Sequence, residues 1–343
     1  MMADRIMINS LVPPTWNRLK VNETYVELPA SMPRGKTEGT AHVADAEEWK
    51  METGCGEELS AYLANNGISP VKADARTGEL TLIKKDYRED AAEVLCFEAG
   101  EGKTLNILMD ITSDEDIKAA GILQVLIKAE KDSVVNLTQV IRPGKGLEFI
   151  NDIGTVISDK AQVNLVQIFK GGSNINAGYR SGLTGEDSYA GCRIGLIRTD
   201  GETLDMNYVM KHFAPRSKSE INVSGALSKK AQKTFRGTID FVKGCAGADG
   251  AENESVLILD DTVINKTVPL ILCTEENVAG SHGASIGKPA EDMLFYMMSR
   301  GIDRDKALKI LERASLEAAV SHIADPGALE YVMNIIDESR EDD

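Results

Sequence analysis

Between Leu80 and about Gly280 the chain returns repeatedly to one short plan. Ala129-Glu130-Lys131-Asp132-Ser133-Val134-Val135 matches Ile157-Ser158-Asp159-Lys160-Ala161-Gln162-Val163 in outline. Each is an apolar strand end, a charged tip, a small or β-branched residue, and a new strand. Leu227-Ser228-Lys229-Lys230-Ala231-Gln232 and Leu259-Asp260-Asp261-Thr262-Val263 follow the same plan. Asp132 and Asp159 are 27 positions apart, and Lys229 and Asp261 are 32 apart. A turn recurring at about that interval marks stacked rungs, none of which can bury its apolar face alone. A β-sandwich competes with this reading. It calls for turns every ~8–12 residues and strict alternation of apolar and polar residues. The wider corner spacing, and apolar residues on both sides of each tip, favour a parallel β-helix.

The flanks differ. Residues 1–80 read as a small mixed cap, with helices over Ala44 to Lys50 and Glu57 to Asn65, the second closed by Asn66-Gly67. Residues 81–284 form the β core, and residues 285–343 turn helical. Pro289 suits a first turn and Gly301 ends that helix, with Met293, Leu294, Tyr296 and Met297 as its apolar stripe. A second helix starts near Asp303, with Ala307, Leu311, Ala314, Ala318 and Ile323 as its inner face. Asp325-Pro326 starts a third, with Leu329, Val332, Met333 and Ile336 on one side. The charged residues from Asp337 to Asp343 are expected to fray.

Bulk properties narrow the function. A formal charge of −16 repels phosphate backbones and anionic lipid, and 5% aromatic content leaves few stacking platforms for single strands. Neither a nucleic-acid nor a membrane role is expected. Met1 to Ser10 lacks the apolar run of a signal peptide, and no stretch is long enough to span a bilayer. The five cysteines, Cys55, Cys96, Cys192, Cys245 and Cys273, are odd in number and include no C-x-x-C pair. They read as reduced thiols in a cytoplasmic protein, with Cys96, Cys192 and Cys273 as small core residues.

Several segments in order carry a more specific signal. They are His212-Phe213-Ala214-Pro215, Ala231-Gln232-Lys233-Thr234-Phe235-Arg236-Gly237, Leu257 to Asp261 leading to Thr267-Val268-Pro269, Ser281-His282-Gly283-Ala284, and Ser299-Arg300-Gly301-Ile302. Their order and spacing from His212 to Ile302 resemble the SufB/SufD family, the scaffold components of SUF iron–sulfur cluster assembly, and most closely its SufD branch. From Leu80 to Lys211 the likeness is one of pattern. The resemblance implies a right-handed parallel β-helix and no enzymatic activity of the chain's own. It also implies a SufC-type ABC ATPase docked on the C-terminal helices, and a SufB-type paralogue or a second copy as scaffold partner. A transient iron–sulfur cluster, or iron, would form at the subunit interface, with none tightly bound to the isolated chain.

The chemistry-bearing residues fit that frame unevenly. Gly283 to Lys288 has one residue too few for a phosphate-binding loop, and Pro289 stands where Ser or Thr belongs, so ATP hydrolysis falls to a partner. His282, among small residues, can bind iron or hydrogen-bond a neighbouring rung. The residues leave both readings open, and the resemblance favours the first, because relatives carry a histidine here that faces the partner subunit. The cysteine that many relatives place two positions earlier is Gly280 here, and the SufB-type glutamate after the histidine is Gly283. Cys273 is a substitute thiol of lower rank. His212, His42 and His322 carry no assigned role. Asp260-Asp261 and Glu275-Glu276 invite comparison with the carboxylate pairs of polysaccharide-cleaving β-helix enzymes, the rival reading, but they fall at rung corners. Phe295, Met298, Arg300, Leu308 and Leu311 are the candidate partner-binding residues.

Overall fold

A computed structural model describes residues 3–15, 17–35, 42–172 and 174–338. Strands β1 (Ala3–Ile8) and β2 (Thr24–Pro29) form an antiparallel pair, followed by β3 (His42–Val43), α1 (Glu57–Asn65) and β4 (Val71–Lys72). Fifteen strands come next: β5 (Leu80–Tyr87), β6 (Ala91–Ala99), β7 (Thr104–Ser113), β8 (Ala119–Ala129), β9 (Val134–Arg142), β10 (Leu147–Ile157), β11 (Gln162–Lys170), β12 (Asn174–Leu183), β13 (Tyr189–Arg198), β14 (Thr203–His212), β15 (Lys218–Leu227), β16 (Gln232–Phe241), β17 (Asp249–Ile258), β18 (Ile264–Cys273) and β19 (Ala279–Gly287). Helices α2 (Glu291–Ser299), α3 (Arg304–Val320) and α4 (Pro326–Glu338) close the described chain.

From β5 onward alternate strands belong to opposite sheets. Even-numbered strands stack β4-β6-β8 through to β18, odd-numbered strands β5-β7-β9 through to β19, all in parallel register. The result is the expected parallel β-helix, with two strands per rung and about seven rungs. Its corners run along two edges. On one edge Gly102, Asp132, Lys160, Asp187, Arg216 and Gly247 all have positive φ, between 55° and 77°. Each N–H donates to a carbonyl one rung on, at Lys131, Asp159, Glu186, Pro215, Ala246 and Asn277 respectively. Four of these six positions are not glycine. The left-handed conformation costs such residues about 1–2 kcal/mol, which the ladder of hydrogen bonds offsets. The 27-residue spacing belongs to this edge, whereas Lys229 and Asp261 lie on the other.

Three apolar layers hold the solenoid. Its lumen is filled by residues such as Phe149, Phe169, Tyr179, Tyr208 and Phe235. The N-terminal region covers the outer face of the even-numbered sheet, where Ile8, Trp49, Leu59 and Leu63 pack with Val94, Ile122 and Ile150. Gly54 lies so close to Gly178 and Tyr179 that a Cβ would overlap their backbone. The outer face of the odd-numbered sheet is covered by α3 and α4, through Leu316, Val320, Val332 and Ile336 on Leu108, Val140 and Ile168.

Three local expectations are corrected. Ala44 to Lys50 is a turn, not a helix, anchored by the single buried side chain of Trp49. In α2 only Leu294 is buried; Met293 and Tyr296 face out because the helix stands off the sheet. In α3 the sheet-facing side is Leu316, Ala319 and Val320, while Ala314 and Ala318 are exposed. Gly195 decides that face, since a Cβ there would press on Ala319 and Leu316. Helix α1 and the face of α4 follow the expected pattern. Of the charged tail, residues 339–343 lie outside the described residues.

The last rung is unfinished. All nine residues of β19 are exposed, and no strand pairs with the outer edge of β18 or β19 among the described residues.

Candidate functional site

His282 lies on the edge strand β19, in register with Glu252 of β17. Side chains alternate along a strand, and a Cβ at Gly280 would meet Phe241 and Ile271 of the lumen, whereas one at Gly283 would meet Asn253 outside. His282 therefore takes a lumen-facing position at the solenoid mouth. Its ring makes no hydrogen bond among the described residues, so both nitrogens are open to a ligand.

One rung below, the lumen is charged. Lys233 of β16 and Glu254 of β17 form an ion pair with both side chains buried, and Lys233 Nζ also donates to Thr267 Oγ1 at 3.3 Å. Glu252 sits beside them, where Gly237 leaves the space: a Cβ at 237 would overlap the Glu252 carboxylate. Burial first, and Glu254 second, push the Glu252 carboxyl up to about 7 against the pull of Lys233. Burial also lowers the Lys233 ammonium, with Glu254 opposing. The sequence reading missed these three residues. Their signal was charged residues in the same alternating row as large apolar ones, Lys233-x-Phe235 and Glu252-x-Glu254-x-Val256.

Cys273 is not a core residue. It is exposed, because no further rung covers it, and its Sγ donates to the Glu275 carbonyl at 2.8 Å. Cys55, Cys96, Cys192 and Cys245 are buried, and burial raises the Cys192 thiol. His212 is structural: Nδ1 and Nε2 lie 2.8 Å from Ser217 Oγ and Ser219 Oγ, and burial holds the ring down to about 4. His42 and His322 are exposed, the latter in a groove of about 560 Å³ between α3 and the sheet. Asp260 and Glu275 spend their oxygens on corner N–H groups: Lys229 and Thr262 donate to Asp260, and Gly244 to Glu275, which lowers both carboxyls. Lys288 pairs with Asp261 at 2.7 Å, and Gly283–Gly287 before it is extended strand, not a loop. Among the described residues no three histidine, cysteine or acidic side chains gather as a metal site.

Of the candidate partner-binding residues, Phe295, Met298 and Arg300 are exposed on α2 or just after it, with Phe295 73% accessible and Arg300 stacked on the Tyr296 ring. Leu308 and Leu311 are half-buried on α3.

Comparison with known proteins matches this architecture to a family. The profile described as "SUF system FeS cluster assembly, SufBD core domain" matches residues 83–315. A SufBD family protein of Archaeoglobus fulgidus is 27% identical over 301 residues, covering 84% of this chain and 76% of that protein. The SufD protein of Bacillus subtilis is 24% identical over 155 residues, and its SufB protein 33% identical over 118. These matches span 36% and 25% of the Bacillus proteins' own lengths, and 45% and 34% of this chain. The SufD match is the longer of the two and the SufB match the more identical. The chain belongs to the SufB/SufD family of iron–sulfur cluster assembly proteins.

Proposed function

We propose that the chain is a non-enzymatic scaffold subunit of a SUF-type cytoplasmic complex, the SufD-type partner of a SufB-type paralogue, with a SufC-type ABC ATPase on its C-terminal helices. The unfinished rung carries this reading. An exposed strand edge invites pairing with another chain unless something covers it. A second scaffold subunit placed there would put His282 at the junction, its imidazole free for iron. This chain's exposed donors there are few and mostly not sulfur, so a cluster is completed between subunits and leaves. Helix α2 offers an aromatic and methionine surface of the kind that suits an adaptable docking face. Helix α3, packed on β11, β13 and β15, ties that surface to the solenoid.

A second copy of this chain is the alternative occupant of the mouth. It is favoured by one observation: the open edges of β18 and β19 could pair with the same edges of a second copy across a two-fold axis. Co-expression with the ATPase and SufB-type proteins of the same organism tests both. A three-component complex is expected. Phe295→Asp should release only the ATPase, and Ile271→Asp with Ile286→Asp only the scaffold partner. A homodimer that ignores the SufB-type protein selects the alternative, and a monomer binding neither protein rejects both.

A further inference from the structure

The charged pocket one rung inside the mouth has no structural explanation in the fold. Glu252 and Glu254 are each 3% exposed. Glu254 Oε1 accepts from Lys233, but Oε2 has no hydrogen-bond partner. Glu252 accepts no hydrogen bond among the described residues. Buried carboxylate oxygens are normally satisfied by donors or by a cation. Here one ammonium faces two carboxylates, and at least one buried oxygen is left without a partner. The cavity is also shaped for the carboxylate, because Gly237 stands between Phe235 and Ile239 in the lumen-facing row and leaves the space that Glu252 fills. Asn265, next to Lys233 in register, adds an amide oxygen that likewise lacks a partner.

We propose that Glu252 and Glu254 form a binding site for a hard divalent cation, just inside the solenoid mouth and one rung beneath His282. Two carboxylates with water completing the shell is an ordinary arrangement for oxygen-loving divalent ions. Lys233 is the resident counter-ion. Its Nζ already has a second acceptor in Thr267 Oγ1 at 3.3 Å, toward which it can turn as the ion enters. Within the scaffold reading, on which this identity rests, the ion is ferrous iron, held before sulfide reaches it. His282, one rung step of about 4.8 Å further out, is positioned to receive it at the subunit junction. No redox step is involved.

The test uses the full-length, metal-stripped chain and two probes, Mn²⁺ followed by the magnetic resonance of the free ion, and Fe²⁺ under anaerobic dialysis. Saturable binding of one ion per chain is expected. Glu252→Gln should weaken it about tenfold or more. That variant should fold well, because it removes a buried carboxylate repelled by its neighbour. Glu254→Gln should weaken binding likewise, and Asp261→Asn, at an exposed corner, should leave it unchanged. Absence of saturable binding, or equal affinity in wild type and both glutamine variants, overturns the proposal. Cluster assembly by the whole complex is scored separately. If the complex builds clusters while the chain binds no ion, this inference falls and the scaffold reading stands. If the ion binds but the complex builds nothing, the scaffold reading falls and the site remains.

Discussion

The Lys233–Glu254 pair gives the sharpest quantitative expectation. Lys233 is fully buried, and Lys233→Met removes the one cation that faces Glu252 and Glu254 among the described residues. Breaking a buried pair from one side costs about 3–5 kcal/mol, because it strands the other charge. In a chain of this size that lowers the melting temperature by on the order of 10 °C. The loss depends on pH. Glu252, pushed up to about 7, is neutral near pH 5 and gains charge toward pH 8, so the cost is larger at pH 8 than near pH 5. Lys233→Met combined with Glu254→Gln leaves Glu252 as the one carboxyl, beside an uncharged amide, and should recover about half of the loss or more at pH 8. Thermal melts of wild type, both single variants and the double variant, run with chelator at pH 8 and pH 5, measure this. Additive losses, or a Lys233→Met melt that does not move with pH, would refute the reasoning.

Two further expectations concern protons and caps. Glu252 is raised from 4.5 to about 7 in the folded state, so its stabilising contribution is full below pH 4.5 and is lost as pH rises through about 7, roughly 3 kcal/mol in all. His212 is lowered from 6.5 to about 4, so its contribution is present above pH 6.5 and lost as pH falls through about 4. The two slopes oppose each other between pH 4.5 and 6.5. Glu252→Gln should therefore uncover a melting temperature that climbs with pH, and His212→Gln one that falls; unchanged profiles in both would refute the assignment. Gly54→Ala should loosen the N-terminal region from β12 by on the order of 2 kcal/mol, because its methyl group overlaps the Gly178–Tyr179 backbone. Faster proteolysis before residue 70 reports it, and unaltered proteolysis counts against that packing.

The rung spacing was legible because every corner needs a charged or small tip, and tips are short and conspicuous. The faces were not. Strands such as β8 and β10 are buried on both sides, in the lumen and beneath a covering layer, which erases the period-two alternation that normally tells inside from outside. Lys233, Glu252 and Glu254 were hidden because a charge in a strand reads as solvent-facing, although β17 keeps a clear alternation of buried and exposed residues. Cys273 misled in the opposite sense: its apolar strand reads as core, and only the end of the stack exposes it. Helix α3 shows a third limit. Its alanines fit several faces, and the choice was made by Gly195, more than a hundred residues away. His282 was found from its small neighbours Ser281, Gly283 and Ala284, which leave room beside it. That it faces the lumen mouth required the register with Glu252.

The proposal that iron and sulfide meet at the open rung stands or falls with His282. In the anaerobically reconstituted complex, iron and acid-labile sulfide per chain are counted for wild type and His282→Ala, alongside the melting temperature of each. His282 is exposed and makes no hydrogen bond, so the variant should melt within about half a kcal/mol of wild type. Its iron and sulfide should fall together to a small fraction of the wild-type count. A fully folded His282→Ala complex that holds as much iron and sulfide as wild type contradicts the account.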